Sequence, residues 1–520
     1  MRFTTAFILA LAAAGLLACD ATDSTGPEEP TLRAEPAQEL EQPVSGAAQP
    51  GSAPEAAPAS LGLTATRLPK SFFINPSSGN DSNPGTSLKP FKTLARGLST
   101  AISGDTMRLA AGVYSAATNG EKFTNSTRQV TVPAGVKIFG TLAGSLTSRL
   151  EAGAAGESGL NLKGSATVRN LVMKGFAPGI RATQGVQTLK SLVVDLSLIG
   201  LDLSGSAQTT LVSSTVFTNT GGLPSPNPGN AIGAKVRQQA QLTVSGGTIG
   251  FSHENCVSAV GVSLGDAARL TMKNGAALKE IAGSALTMLG TSKAFLTGSA
   301  TIERTLTLFP NCTPPPSVVG QDSTTLTLKK ARVLNTAGKI ADGIWWQSRG
   351  LLTLDSVQVK GHTGVGIRAI VPKARILLSG SLVHGNTVGI QAAVTEVKMT
   401  VTGSTVTSNV LGIESPFFKL RGSDIASNQT GIVVLSPSAD LGQLDDPGKN
   451  FIIGNLKTGV TFSPQIGVGS ISASGNIWAA GVQGADGDGR YPLNTIVNGA
   501  SPSASGPNFA LPSGNLEIHL

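Results

Sequence analysis

Short apolar runs alternate with Gly, Ser and Asn turns through most of the chain. Strands of the form Leu-Thr-Leu or Leu-Thr-Val recur, as in QLTVSGG, TLTLKKA and LLTLDSV. A Gly-Ile pair closes each late unit, and successive pairs stand 23, 23, 23 and 19 residues apart, at Gly343, Gly366, Gly389, Gly412 and Gly431. A period in this range, built from strands with period-two alternation, is typical of a solenoid. The pattern therefore predicts an all-β chain folded into the coils of a parallel β-helix.

An Asn stands three residues before the Gly of three successive pairs, at Asn386, Asn409 and Asn428. Stacked in register, such side chains can hydrogen-bond from coil to coil and satisfy turn backbone that would otherwise lack partners. We expect a structural Asn ladder here rather than ligand-binding residues.

One helical pattern precedes the repeats, in PFKTLARGLSTAI. Its apolar residues follow helical spacing, at Phe91, Leu94, Ala95, Leu98 and Ile102. Because the open end of a solenoid exposes apolar core and strand edges, we expect this helix to cover the N-terminal end. The Asn/Asp-rich stretch before it is interpreted as a turn leading into this cap rather than as a phosphate or metal loop.

The N-terminal region is organised differently. Residues 1–18 carry Arg2 and then an apolar run too short to span a bilayer, which predicts an export signal. The Leu-Leu-Ala-Cys ending resembles the bacterial lipoprotein box, which would make Cys19 the lipid attachment site; a plain signal peptide cleaved near an ordinary Cys is the alternative. Residues 19–66 form a Pro/Ala/Glu-rich tether, residues 67–500 the β-helix with its cap, and residues 501–520 a tail.

Charge separates the tether from the rest of the chain. Residues 19–66 contain one basic and eight acidic side chains, a net charge of −7, whereas residues 67–520 contain 37 basic and 23 acidic ones, a net charge of +14. A basic domain outside the cytoplasm attracts acidic polysaccharides or envelope phosphates rather than nucleic acid. The alternative is that the charges only keep a large domain soluble.

A family resemblance covers most of residues 72–491. The run GNDSNPGTSLKPFKTLARGL, followed by SGDTMRLAAGVYS, resembles the start of the bacterial domain-of-unknown-function family fifteen-sixty-five. The late segments DLGQLDDPGKNFIIGN and SASGNIWAAGVQGADGDGRY resemble its closing part. The resemblance implies an extracytoplasmic, pectin-lyase-like, right-handed single-stranded parallel β-helix. It implies no catalytic residue, because the family has no assigned activity.

Few residues suggest a metal or redox site. Cys256 and Cys312 are the remaining cysteines, and in an oxidising compartment we expect them to pair, with two free thiols as the alternative. Asp486 and Asp488 lie in a late Gly-rich loop and are interpreted as solvated turn acids, with Ca²⁺ ligation as the alternative. No other cofactor is predicted.

The residues directly after the Ile of four consecutive Gly-Ile pairs should point outward in one column: Trp345, Arg368, Gln391 and Glu414. A Trp beside polar and basic groups on a flat face could bind a sugar ring by stacking and hydrogen bonding. Alternatively, Trp345 packs beneath the excursion around Cys312.

No catalytic residue is assigned. Acid clusters on successive coils and an obvious carboxylate pair are both missing from the pattern, and the scattered histidines His253, His362 and His384 are interpreted as turn residues. We predict a monomeric, lipid-anchored extracytoplasmic protein at a bacterial membrane that binds or organises acidic glycans or other surface components without catalysis. A polysaccharide lyase, or a glycoside hydrolase, acting on an acidic polysaccharide is the alternative.

Overall fold

The chain divides into two units, residues 1–66 and 67–520. The computed structural model describes part of the second unit, in the ranges 67–123, 130–144, 146–154, 156–195, 197–218, 231–251, 259–279, 283–304, 315–338, 341–392, 394, 396–436, 438–443, 445–462, 470–473, 476–478 and 517–519. The predicted signal and tether, with Cys19, therefore lie outside the described residues.

Within these ranges the chain forms one helix, Leu94–Thr100, and two sheets. The shorter sheet contains 14 strands in chain order: Val130–Val132, Leu160–Leu162, Ile180–Ala182, Ile199–Leu203, Ile232–Val236, Val260–Leu264, Ser284–Met288, Val318–Asp322, Ile344–Ser348, Val365–Ala369, Val388–Ala392, Leu411–Ser415, Thr430–Val434 and Thr458–Phe462. Each of these strands pairs in parallel with the strand of the next coil.

The longer sheet contains 29 of the described strands: Ser71–Ile74, Thr106–Leu109, Gly112–Tyr114, Lys137–Phe139, Leu142–Ala143, Leu146–Glu151, Ala166–Lys174, Val186–Asp195, Gln208–Thr218, Gln241–Phe251, Arg269–Lys273, Ala277–Lys279, Lys293–Leu296, Thr301–Arg304, Thr325–Lys329, Arg332–Asn335, Leu351–Asp355, Gln358–Lys360, Arg375–Ser379, Leu382–His384, Lys398–Thr402, Thr405–Thr407, Phe418–Arg421, Asp424–Ala426, Asp440–Gly442, Phe451–Ile453, Ser470–Ala473, Ile477–Trp478 and Glu517–His519. Two of its described pairings are antiparallel, Leu142–Ala143 with Leu146–Glu151 and Ser470–Ala473 with Glu517–His519. The other pairings join equivalent strands of successive coils.

The predicted fold class is confirmed: the chain is a right-handed parallel β-helix with an N-terminal capping helix. Its right-handed coils follow the sense that parallel crossovers almost always take. From Arg269 onward each coil supplies two short strands to the longer sheet and one to the shorter sheet. Inward side chains of period-two strands fill the coil interior, as with Leu270 and Met272 in the strand that begins at Arg269.

The Gly of each Gly-Ile pair is required by close stacking of the coils. A Cβ placed on Gly389 would lie 2.5 Å from the carbonyl oxygen of Gly412, and one on Gly412 would lie 2.3 Å from the oxygen of Gly431. Neither distance leaves room for a carbon atom. The repeat seen in the sequence is thus a steric requirement of one coil against the next.

Asn386, Asn409 and Asn428 form a continuous buried ladder, which Asn455 extends. The Nδ2 of each donates to the Oδ1 of the next, over 3.0, 3.0 and 3.1 Å. The same Oδ1 atoms accept the backbone N–H of the preceding residue in the ladder, which satisfies turn backbone that points inward. His362 begins the ladder, since its backbone N–H donates to Asn386 Oδ1 over 2.9 Å.

A second ladder lies at the bend between the two strands that each coil gives to the longer sheet. Its members bond backbone N–H to side-chain oxygen from coil to coil, over 3.0 to 3.2 Å, in the order Val357, Ser381, Ser404, Ser423, Asn450 and Asn476. The sequence analysis did not find this ladder, because Ser is common throughout the chain.

The capping helix contacts the first strands of both sheets. Leu94 and Leu98 are buried, whereas Ala95 and Ile102, which also follow helical spacing, are exposed. The helix is shorter than the predicted pattern. It begins after Thr93, whose side chain accepts the Arg96 N–H as an N-cap, and it ends where the backbone becomes extended at Ala101. Asp81, from the preceding turn, accepts the backbone N–H groups of Lys92 and Thr93.

Candidate functional site

The four residues predicted to form an outward column lie side by side on the shorter sheet. Trp345 pairs with Arg368, Arg368 with Gln391, and Gln391 with Glu414. All four are half-buried. The structure therefore brings them together as one line of side chains across four coils.

Most polar groups of this column already bond to protein. Arg368 Nε lies 3.2 Å from Asp342 Oδ2, and Gln391 Nε2 donates to Glu414 Oε2 over 2.6 Å. Trp345 Nε1 has no partner among the described residues, while the neighbouring Trp346 is buried and donates to a backbone carbonyl. Trp345 Nε1 is itself buried, so what this residue offers a ligand is its half-buried ring. Cys312, beneath which it could pack, lies outside the described residues.

A different line of side chains, on the longer sheet, carries unpaired positive charge. The strands that begin with Arg269, Lys293, Arg375 and Lys398 place these four residues at one register position. We call the outward column at this position the basic column; in coil order it consists of Gln241, Arg269, Lys293, Thr325, Leu351, Arg375 and Lys398. Its four cations are exposed.

The four cations of the basic column form no ion pair with any described carboxylate. Other basic residues of the longer sheet do: Lys329 Nζ lies 3.2 Å from Asp355, and Lys419 Nζ lies 2.6 Å from Asp446. Because equivalent residues on adjacent coils are only about 4.8 Å apart, unpaired cations on neighbouring coils repel each other, and an anion lying over them would offset this repulsion. The column is therefore suited to an anionic ligand.

Beside the basic column lies a column of mostly Thr side chains, here called the threonine column. Its members from Thr243 onward are Thr243, Thr271, Phe295, Thr327, Thr353, Leu377 and Thr400. The two interruptions are exposed apolar side chains, Phe295 at 41% and Leu377 at 39%. The surface thus combines cations, hydroxyl groups and two apolar contacts, the groups that bind an acidic sugar chain.

Sequence reasoning missed the basic column, although its signal was present. The residue directly before the Leu-Thr-Leu core of the repeat is basic in RLTMKNG, RILLSGS and KMTVTGS. Lys293 joins this set only when its strand is shifted along the repeat pattern. The register between strands makes that alignment unambiguous.

The described histidines are not arranged for metal binding or for a catalytic pair with a carboxylate. Burial lowers the pKa of His362 to about 4. Burial, followed by the charge of Lys360, lowers the pKa of His384, whose Nε2 lies 3.0 Å from Gln358 Nε2. Both imidazoles are therefore neutral at pH 7. In the part of the chain that the structure describes, no group of three or more His, Cys, Asp or Glu could hold a metal ion.

A shallow groove of about 410 Å³ runs beside the Asn ladder, where Thr363, Thr387, Ser408, Gln429 and Leu456 line it. Its lining offers hydroxyl and amide groups and contains no carboxylate, lysine or arginine. It can bind a neutral polar ligand but does not by itself suggest a reaction.

Several predicted sites fall outside the described residues, namely Cys19, Cys256, Cys312, His253, Asp486 and Asp488. Their pairing, lipid and Ca²⁺ interpretations stay predictions. Within the described ranges, the helix found is too short to cross a bilayer.

Comparison with known proteins supports the family resemblance over the N-terminal part of the β-helix. Residues 77–192 match the model of the family described as "Protein of unknown function (DUF1565)". The resemblance predicted from the cap and first coils is confirmed there, whereas the late segments lie beyond the match. None of the curated proteins compared with the chain matches it.

Three solved structures are similar to about two thirds of the chain. Pectate lyase Pel9A is 13% identical over 69% of this chain and 80% of its own, with a TM-score of 0.37. A rhamnogalacturonan lyase is 12% identical over 68% and 87%, with a TM-score of 0.36. The A-module of the Azotobacter vinelandii mannuronan C-5 epimerase AlgE6 is 13% identical over 71% and 93%, with a TM-score of 0.32. The fold assignment rests on the strand register of this chain itself.

Proposed function

We propose that this protein binds acidic polysaccharide without catalysis, and that the polysaccharide chain lies along the basic column of the longer sheet. The observation that supports this most directly is the set of four exposed, unpaired cations at one register position. The net charge of +14 over residues 67–520 adds long-range attraction for polyanions. The hydroxyl groups of the threonine column offer hydrogen bonds to a hydroxyl-rich ligand.

The proposal includes the place of the protein in the cell. A lipid on Cys19 would hold the β-helix at the extracytoplasmic face of a bacterial membrane, through a Pro-rich acidic tether. Acidic polysaccharides are among the polyanions that such a position exposes it to. Nucleic acid is not among the proposed partners, and the protein acts as a monomer.

Charge removal at the basic column tests the proposal. In the variant Arg269→Gln, Lys293→Gln, Arg375→Gln, Lys398→Gln, we expect affinity for polygalacturonate to fall at least about tenfold, since each exposed charge contributes a few tenths of a kcal/mol or more. Calorimetric titration at low and high salt measures the loss, which should shrink as salt screens the wild-type contacts.

The matched control removes two Arg and two Lys from exposed positions outside the basic column: Arg108, Lys163, Arg349 and Lys457, each changed to Gln. It has the same net charge as the test variant. If the control lost as much affinity as the test variant, net charge alone would explain binding and the basic column would have no special role.

Catalysis is tested separately. Incubation of the full chain with a panel of uronate polysaccharides should yield no unsaturated uronate product by ultraviolet absorbance. Product formation would replace the binding proposal with the lyase alternative, and the same column variants would then show whether the basic column holds the substrate.

A further inference from the structure

The cations of the basic column occur in two separated pairs. Arg269 and Lys293 lie on adjacent coils, and Arg375 and Lys398 lie on adjacent coils further along. The two coils between the pairs carry uncharged residues at this position, Thr325 and Leu351. Positive charge along this face is therefore interrupted rather than continuous.

Each pair has its own apolar contact. Phe295 follows Lys293 by two residues on the same outward face, and Leu377 follows Arg375 in the same way. We define the first cationic cluster as Arg269, Lys293 and Phe295, and the second cationic cluster as Arg375, Lys398 and Leu377. In both clusters the apolar residue lies on the coil nearer the uncharged gap. The two apolar residues therefore form the inner ends of the clusters, one on each side of the gap.

The acidic residues close to these cations in sequence leave them unpaired. Asp266 Oδ2 accepts the backbone N–H of Gln238, and Asp322 Oδ2 accepts that of Gly290. Glu396, two residues before Lys398, is exposed and forms no described ion pair with it. Lys373 adds further positive charge near the second cluster.

Stacking of the coils fixes the separation of the clusters. Five steps of about 4.8 Å place Arg269 and Lys398 roughly 24 Å apart, and three steps leave roughly 14 Å between Lys293 and Arg375. The parallel pairing of every intervening strand prevents the clusters from approaching each other. A ligand that reaches both must be long and must lie along the solenoid axis.

We propose that the two clusters bind one linear acidic polysaccharide at two points, so that the protein selects chains by length. This inference rests on the proposed function. Binding at the second cluster becomes intramolecular once the first is occupied, which raises avidity only for chains that span both clusters. Phe295 and Leu377 contact the apolar faces of sugar rings at the inner ends, and Thr327 and Thr353 offer hydroxyls across the gap.

A length series tests the inference. The probe is a set of size-fractionated oligogalacturonates whose extended lengths run from below 14 Å to well above 24 Å. Affinity of the full chain should rise in one step of about a hundredfold when the oligomer spans both clusters. A smooth increase with length would overturn two-point binding but keep the proposed function. No binding at any length would overturn both.

Two variants make the test specific. Arg375→Gln with Lys398→Gln should abolish the step and reduce the number of short oligomers bound per protein from two to one, because only the first cluster remains. Thr325→Lys with Leu351→Lys should replace the step with a gradual rise, because the charge becomes continuous. A step that survives either change would overturn the assignment to these clusters.

Single-stranded DNA of the same lengths and charge serves as the competing ligand. We expect weaker binding at every length, since its bases offer no hydroxyl-rich face to the threonine column. Equal affinity at every length would overturn the assignment to polysaccharide. Circular dichroism of each variant confirms that the exposed substitutions leave the β-helix folded.

Discussion

At the scale of single residues, the molecule depends on positions where one coil touches the next. The Gly-Ile glycines leave room for a carbonyl oxygen, and the Asn side chains bond to their equivalents above and below. These roles depend on close contact with the adjacent coil. A single substitution should therefore act locally but strongly.

Gly389→Ala should destabilise the β-helix by about 1–3 kcal/mol, the usual cost of overpacking a well-packed site. Its new Cβ would lie 2.5 Å from the Gly412 oxygen and 3.2 Å from Asn409 Nδ2, so the two coils must separate. Chemical denaturation measures the change in the free energy of unfolding.

Gly265→Ala is the matched control, because a Cβ there has only Arg237 Cγ nearby, at 3.8 Å. It should change stability by less than about 0.5 kcal/mol. Equal losses in the two variants would show that the Gly-Ile column is not a steric requirement.

The residue scale also shows what a sequence can predict. The Asn ladder was predicted because Asn is distinctive and its spacing from Gly-Ile is constant. The second ladder and the basic column were missed, since Ser is abundant and the outward residues change identity from coil to coil. Their complete alignment requires the strand register.

At the scale of elements, the N-terminal cap is held by buried carboxylates from outside the helix. Glu121 accepts the N–H groups of Leu94 and Ala95 over 2.7 and 2.9 Å. Asp105 accepts the N–H groups of Lys70 and Ile102 over 2.7 and 2.8 Å and also pairs with Arg67. The helical periodicity predicted that a cap exists, but these partners lie up to 38 residues apart and could not be inferred from it.

The Asp105 site should make stability depend on pH. Burial raises the pKa of this carboxyl, but the bonds from Arg67, Ile102 and Lys70 outweigh it, so the pKa lies below the ordinary value of an aspartate. The stabilisation is then fully present above the ordinary aspartate pKa and is lost as pH falls through the lower pKa of the folded state.

Asp105→Asn should lower the melting temperature by roughly 2–4 °C at pH 6 and by less at pH 2.5, since protonation of this carboxyl in the unfolded chain then removes part of the stabilisation. Asp424→Asn is the control, because Asp424 is exposed and has no described side-chain bond. A pH-independent difference for Asp105→Asn would contradict the charged role of the carboxyl.

At the scale of the whole molecule, an acidic tether and a lipid attachment site are predicted in addition to the described β-helix. The tether is acidic and the rest of the chain basic, with net charges of −7 and +14. Lipid attachment and glycan binding at the basic column, the two parts of the proposed function, both require that the chain is exported. The composition predicted this division, whereas the arrangement of charge into two clusters required the structure.

Cys19→Ser should remove lipid attachment. Wild-type protein expressed in a bacterial host should incorporate labelled palmitate and partition into the detergent phase of a phase-separating detergent, and the variant should do neither. A wild-type protein that stays in the aqueous phase would contradict the lipoprotein prediction and leave the glycan proposal to be judged on binding alone.

The Asn ladder has a consequence for how such a protein can change over generations. Successive rungs are separated by 23, 19 and 27 residues, yet each makes the same bonds to the next. A coil duplicated or deleted within the ladder would therefore join its neighbours without redesign. The coils between Lys293 and Arg375 stack by the same parallel strand pairing, and a coil gained or lost there would move the two cationic clusters about 4.8 Å apart or together. The number of coils would then set the distance between the clusters, and related proteins with one more or one fewer coil would prefer longer or shorter glycans.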